Sequence, residues 1–136
     1  MKILLVEDSK FLRISTERAL ARAGYAVTTA VDGEEAVQFA RERLPDLILL
    51  DMLLPKMSGP DVLKALKKDP ATNQIPVVVL TGLSQKNATR LQDDGAFAFL
   101  EKAELSLEKG SQALLAALDD IIKRLPQARA QSATQK

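Results

Sequence analysis

Three short apolar runs constrain this chain more than anything else in it: Ile3-Leu4-Leu5-Val6, Leu47-Ile48-Leu49-Leu50 and Val77-Val78-Val79-Leu80. None alternates with polar residues, so both faces of each run must be hidden. A parallel strand covered by helices above and below meets that demand. Tyr25 to Ala30 reads as a further, more exposed strand, and Ala96 to Leu100 as another. The segments between carry helical periodicity. The first spans Ser9 to Ala23, with Leu12, Ala19 and Leu20 apolar and Gly24 as its stop; the second spans Glu34 to Arg43, ended by Pro45. A third runs from Ser58 to Lys68 with Val62, Leu63 and Leu66 inward, and a weaker fourth from Ser84 to Asp93. The last, Ser106 to Leu125, spaces Leu114, Leu118, Ile121, Ile122 and Leu125 by threes and fours.

Strand and helix thus alternate five times, which predicts an α/β fold: a doubly wound, five-stranded parallel sheet with five helices on its two faces. Residues 1–125 are expected to form one domain. Residues 126–136, rich in Gln, Ala, Ser and Thr without apolar periodicity, read as a disordered tail or linker.

Composition narrows the chemistry. The chain has no Cys and no His, which removes thiolate metal sites, imidazole catalysis and the commonest zinc ligand. Lys and Arg total 19 against 18 Asp and Glu, a net charge of +1, without the basic excess of a dedicated nucleic-acid binder. Glu7 and Asp8 interrupt the first apolar run too early for an export signal, and no stretch reaches the roughly 18 apolar residues of a membrane span. The expectation is a cytoplasmic protein with no membrane and no direct nucleic-acid partner.

Each buried run gives way to residues that can carry chemistry. Glu7-Asp8 come directly after the first, Asp51 after the second, Thr81-Gly82 after the third, and Glu101-Lys102 after the last strand. In an open parallel sheet the strand C-termini share one edge, and ligands bind in the crevice there. Glu7, Asp8, Asp51, Thr81 and Lys102 should therefore converge. Taken singly, each has a plainer explanation: a carboxylate or Thr at a strand end is often a helix cap, Asp8 included, and Lys102 could be a solvated surface lysine. Taken together, three carboxylates in one crevice repel and call for a cation. An all-oxygen set points to magnesium or manganese, Thr81 offers a hydroxyl and Lys102 a compact positive charge to a phosphoryl group, and one carboxylate can act as nucleophile.

These residues resemble the receiver domain of bacterial two-component response regulators, in a single-domain form like the chemotaxis regulators. The matching stretches are Leu5-Val6-Glu7-Asp8-Ser9, Asp51-Met52-Leu53-Leu54-Pro55-Lys56-Met57-Ser58-Gly59, Leu80-Thr81-Gly82, and Lys102. The resemblance covers about residues 2–124. It implies a flavodoxin-like fold with Asp51 as phosphoacceptor, the donor being a phosphohistidine on a sensor histidine kinase or histidine phosphotransferase. It implies that Asp8, Asp51 and the carbonyl of Leu53 ligate Mg2+ or Mn2+, with Glu7 acting through water. Thr81, Lys102 and the backbone N–H groups of Leu53 and Gly82 would contact the phosphoryl oxygens. Thr81 and Phe99 would form the switch that carries the signal to the surface of the fourth helix, fifth strand and fifth helix. A downstream protein or a second copy of the chain would read that surface. Beyond its own phosphorylation and slow dephosphorylation, no enzymatic activity is implied.

The sequence departs from the family pattern in a few places. Ala103 stands where a Pro commonly follows the site lysine, so a trans Lys102–Ala103 peptide is expected. Phe99 lacks the hydroxyl of a Tyr. Leu53 and Leu83 are apolar where many members are polar, which predicts slow hydrolysis of the phosphoryl group. Rival readings are a receiver excised from a longer multidomain regulator or hybrid kinase, a haloacid-dehalogenase-like phosphatase with an Asp nucleophile, and a flavodoxin-like electron carrier. The phosphatase would need a second Asp at Leu53, and the carrier a phosphate-cradling loop where Glu7-Asp8 stand. The cluster Lys64, Lys67 and Lys68 reads as a solvated helix face.

Overall fold

The structure, a computed structural model, describes residues 1–51, 57–81, 95–101 and 112–125. Five strands, β1 (Lys2–Val6), β2 (Ala26–Ala30), β3 (Leu47–Asp51), β4 (Val77–Thr81) and β5 (Ala98–Glu101), form one sheet in the order β2-β1-β3-β4-β5. Every pairing is parallel. Among the described residues the helices are α1 (Lys10–Arg22), α2 (Gly33–Arg43), α3 (Gly59–Lys68) and α4 (Gln112–Lys123). The expected doubly wound, flavodoxin-like sheet is therefore present. The expected helix at 84–93 and the first turns of the helix expected from Ser106 lie outside the described residues, as does the tail.

The unbroken apolar runs are explained by the two cores. Alternate residues of each strand go to opposite faces. Leu4, Val6, Ile48, Leu50, Val77 and Val79 pack with Ala36 and Ala40 of α2 and Val62, Leu63 and Leu66 of α3. Ile3, Leu5, Leu47, Leu49 and Val78 pack on the other face with Leu20 of α1, Leu118 and Ile121 of α4, and Leu125 just after it. Each fully buried Leu or Ile contributes roughly 1.5–3 kcal/mol of transfer free energy, so neither face could be polar without unfolding the sheet.

Local signals set the ends. Ser9, Asp32 and Ser58 cap α1, α2 and α3, their side chains accepting from the N–H groups of Leu12, Glu35 and Asp61. Boundaries expected from sequence shift by a residue or two. Tyr25 precedes β2 and Gly33 already belongs to α2; Asp51 closes β3 rather than following it. Ala96 and Phe97 lead into β5, Phe97 donating its N–H to the carbonyl of Val77.

One expectation is corrected outright. Lys67 is not part of a solvated lysine face: it is half-buried, and its Nζ donates to the carbonyls of Asn73 (3.3 Å) and Ile75 (3.2 Å). Burial lowers its pKa below the ordinary lysine value. Lys64 and Lys68 remain exposed. Three-residue spacing places Lys67 toward the loop before β4, and its long stem lets the ammonium reach carbonyls there.

Candidate functional site

The strand order reverses direction at β1 and β3: the chain leaves β1 for β2, then crosses back to β3 on the other side of β1. The C-terminal end of such a switch point opens a crevice. The register explains what fills it. Val6 lies opposite Leu50, so the next residues, Glu7 and Asp51, occupy equivalent positions on neighbouring strands with the same side-chain parity. Asp8 comes next, before α1 begins. One carboxylate oxygen from each of Glu7, Asp8 and Asp51 lies within 4.8 Å of the others.

The three carboxylates sit in unlike surroundings. Glu7 and Asp51 are each 3% exposed, whereas Asp8 faces solvent. Glu7 is tied down at both ends: its N–H donates to the carbonyl of Ala30 on β2 (3.0 Å), and its Oε1 accepts the N–H of Ser9 (3.1 Å). Asp8 does not cap α1, because Ser9 holds that position through its Oγ. The capping explanation for Asp8 is thereby removed. Arg13, one turn into α1, reaches back and donates Nη1 to the carbonyls of Glu7 (3.2 Å) and Asp8 (3.3 Å). Sequence reasoning missed Arg13. Its spacing from Glu7-Asp8 was visible, but an arginine on a helix gives no sign of which carbonyls it will meet.

Met57 packs on the α2–α3 core, and Gly33 makes room for it: a Cβ there would lie 2.5 Å from the Met57 Cβ and 2.7 Å from its carbonyl oxygen. Any larger residue would have to displace the backbone of Met57.

The remaining expected site residues are placed unevenly. Thr81 ends β4, one position beyond the Asp51–Leu80 pair, and Glu101 lies opposite it at the end of β5. Phe99 is half-buried on β5 and packs against the α2–α3 core. Leu53, Gly82, Leu83, Lys102 and the Lys102–Ala103 peptide lie outside the described residues. The donor set among described residues, three carboxylates with no nitrogen or sulfur, suits a hard divalent cation such as magnesium.

Comparison with known proteins agrees with this fold. A family model described as the response regulator receiver domain matches residues 3–115. The chain is 42% identical over 116 residues to the gliding motility regulatory protein of Myxococcus xanthus, covering 84% of this chain and 15% of that protein. It is 42% identical over 103 residues to the response regulator PleD of Caulobacter vibrioides, covering 74% of this chain and 22% of that protein. It thus spans less than a quarter of either relative. Among solved structures, the chemotaxis response regulator CheY4 of Vibrio cholerae superposes with a TM-score of 0.79 at 30% identity, covering 88% of this chain and 97% of that one.

Proposed function

The chain belongs to the response regulator receiver domain family, and from that premise we propose that it receives a phosphoryl group on Asp51 from a phosphohistidine of a sensor kinase or histidine phosphotransferase. The observation that carries this reading is the convergence of Glu7, Asp8 and Asp51 at the switch point of the sheet. Asp51 is a buried carboxylate at the end of a central strand, and an in-line donor would reach it from the crevice. Its oxygen attacks phosphorus, forming an acyl phosphate as the bond to the donor imidazole breaks.

Asp8, Asp51 and the Leu53 carbonyl would hold a magnesium or manganese ion, with Glu7 acting through water. When bound, that ion supplies charge neutralisation for the transferring phosphoryl group. Thr81, Lys102 and the N–H groups of Leu53 and Gly82 bind the phosphoryl oxygens. Thr81 moving toward the phosphoryl group opens space for Phe99, whose ring then leaves its place against the α2–α3 core. The surface around β5 and α4 changes with it and is read by a downstream protein. The chain acts as a cytoplasmic signalling domain, not as an enzyme on other substrates. Leu53 and Leu83 shield the phosphoryl group from water.

Acetyl phosphate with magnesium should add one phosphoryl group, located on the peptide containing Asp51 by mass spectrometry. Labelling that persists unchanged in Asp51→Ala would overturn the assignment.

A further inference from the structure

Among the described residues, the large apolar side chain most open to solvent is Phe11, 77% exposed on the first turn of α1. Helical spacing puts it on one stripe with Ser15, Arg18 and Arg22, all exposed, and the exposed Lys10 stands beside it. The outer face of α1 is thus an aromatic ring in a basic surround. On the opposite face of the sheet, α2 and the residues flanking α3 form a groove of about 660 Å³. That lies within the range of about 300–1,000 Å³ that bound groups occupy. Val37, Met57 and Ala71 give it an apolar lining, and Glu34 and Glu42 give it an acidic one. Arg41 also lines it, but its charge is matched by Asp69 at 2.9 Å, and the exposed Lys64 and Lys68 of α3 are not part of the lining. The two patches agree in spacing as well as in charge. Lys10 and Arg18 on α1 stand as far apart in sequence as Glu34 and Glu42 on α2, roughly 12 Å along either helix.

We propose that the groove receives Phe11 of a second copy of this chain, with Lys10 and Arg18 of that copy set against Glu34 and Glu42. Removing the ring from water supplies most of the affinity, and the charges set orientation and rate of encounter. Because α1 packs on one face of the sheet and α2 and α3 on the other, each copy presents one ring and one groove in different directions. The contact is therefore head to tail, and every assembled pair keeps a free ring at one end and a free groove at the other. It rests neither on Asp51 nor on a bound cation.

The test is sedimentation velocity of the whole chain, unphosphorylated and at low salt, from micromolar to millimolar protein. The average mass of the wild type should keep rising with concentration without a plateau at the dimer, and the association should weaken as salt is added. Phe11→Ser should weaken it at least about tenfold. The double variant Glu42→Lys/Ala71→Lys, which fills the groove and reverses one of its charges, should do the same. All three positions are exposed, so these substitutions leave the core untouched. The decisive sample is an equimolar mixture of the two variants. The ring of the groove variant can enter the intact groove of Phe11→Ser, and nothing can add to the pair, so the mixture should form one-to-one pairs and stop there. Variants that had merely lost their fold would not complement one another. A wild type that stays monomeric, or whose mass levels off at a symmetric dimer, overturns the proposal. So does a Phe11→Ser protein that associates like wild type, or a mixture that stays monomeric or grows beyond pairs.

Discussion

At the N-terminal edge of the sheet, Asp46 and Lys2 close a reciprocal pair: the Lys2 N–H donates to Asp46 Oδ2 at 2.8 Å, and the Asp46 N–H donates to the Lys2 carbonyl at 2.8 Å. The Lys2 ammonium caps the Arg43 carbonyl at 3.3 Å, and Lys67 does the same for Asn73 and Ile75 before β4. At the C-terminal edge, three carboxylates are gathered within 4.8 Å instead. Both edges are built from the same kind of strand ends. One edge matches Asp46, Lys2 and Lys67 to backbone groups and serves stability; the other gathers like charges, an arrangement that a bound cation would stabilise.

Removing an acid should therefore have opposite signs at the two edges. The largest effect expected is from Asp46→Ala, which deletes a charge-assisted hydrogen bond to backbone and should cost about 1–3 kcal/mol in urea unfolding. Magnesium should not rescue the loss. Asp8→Asn should instead leave stability unchanged or raise it by up to about 1 kcal/mol in magnesium-free buffer, while blunting the rise in melting temperature that magnesium gives the wild type. Equal losses from both substitutions would erase the contrast between the edges.

A smaller effect sharpens the contrast on the stabilising side. Leu44 ends α2 in the left-handed conformation, φ 46°, half-exposed, and turns the chain toward Pro45 and Asp46. A branched side chain is strained there, so Leu44→Gly should raise stability by roughly 0.5–1 kcal/mol, read as a higher urea midpoint with an unchanged slope. A decrease would mean that the partial burial of Leu44 outweighs its backbone strain.

The smallest effect is a pH dependence. Burial holds the folded pKa of Lys67 below its ordinary value of 10.5. Between those two values the unfolded chain binds more protons, so stability rises with pH through that interval, and the burial penalty is fully present at neutral pH. The raised pKa of Tyr25, caused first by burial and then by Asp119, acts the other way, lowering stability above 10.0. Unfolding free energies from about pH 8 to just below 10.0 should therefore climb in wild type and flatten in Lys67→Met. Equal slopes in the two proteins would show that Lys67 does not set the pH dependence.

Much of the site was legible before any coordinates. Unalternated apolar runs can be buried on both faces in few ways, and a parallel sheet aligns their C-terminal ends, so Glu7, Asp8 and Asp51 had to approach one another. The helix caps were less clear: Asp8 and Ser9 both suit an N-cap, and only the turn geometry chose Ser9. Arg13 and Lys67 were illegible for a related reason. A long flexible cation can reach many acceptors, and which carbonyls lie unpaired within its reach depends on how loops close.

Sequence alone determined the class of fold, the alternation of strand and helix, and the edge at which the carboxylates collect, because periodicity and burial are local properties that each segment carries with it. Tertiary structure alone decided the order β2-β1-β3-β4-β5, the unequal exposure of Glu7 and Asp8, the close approach of Met57 to Gly33, and the carbonyls taken by Arg13 and Lys67. Those are relations between segments distant along the chain or folded back on themselves, and they exist only once the sheet has brought the segments within ångströms of one another.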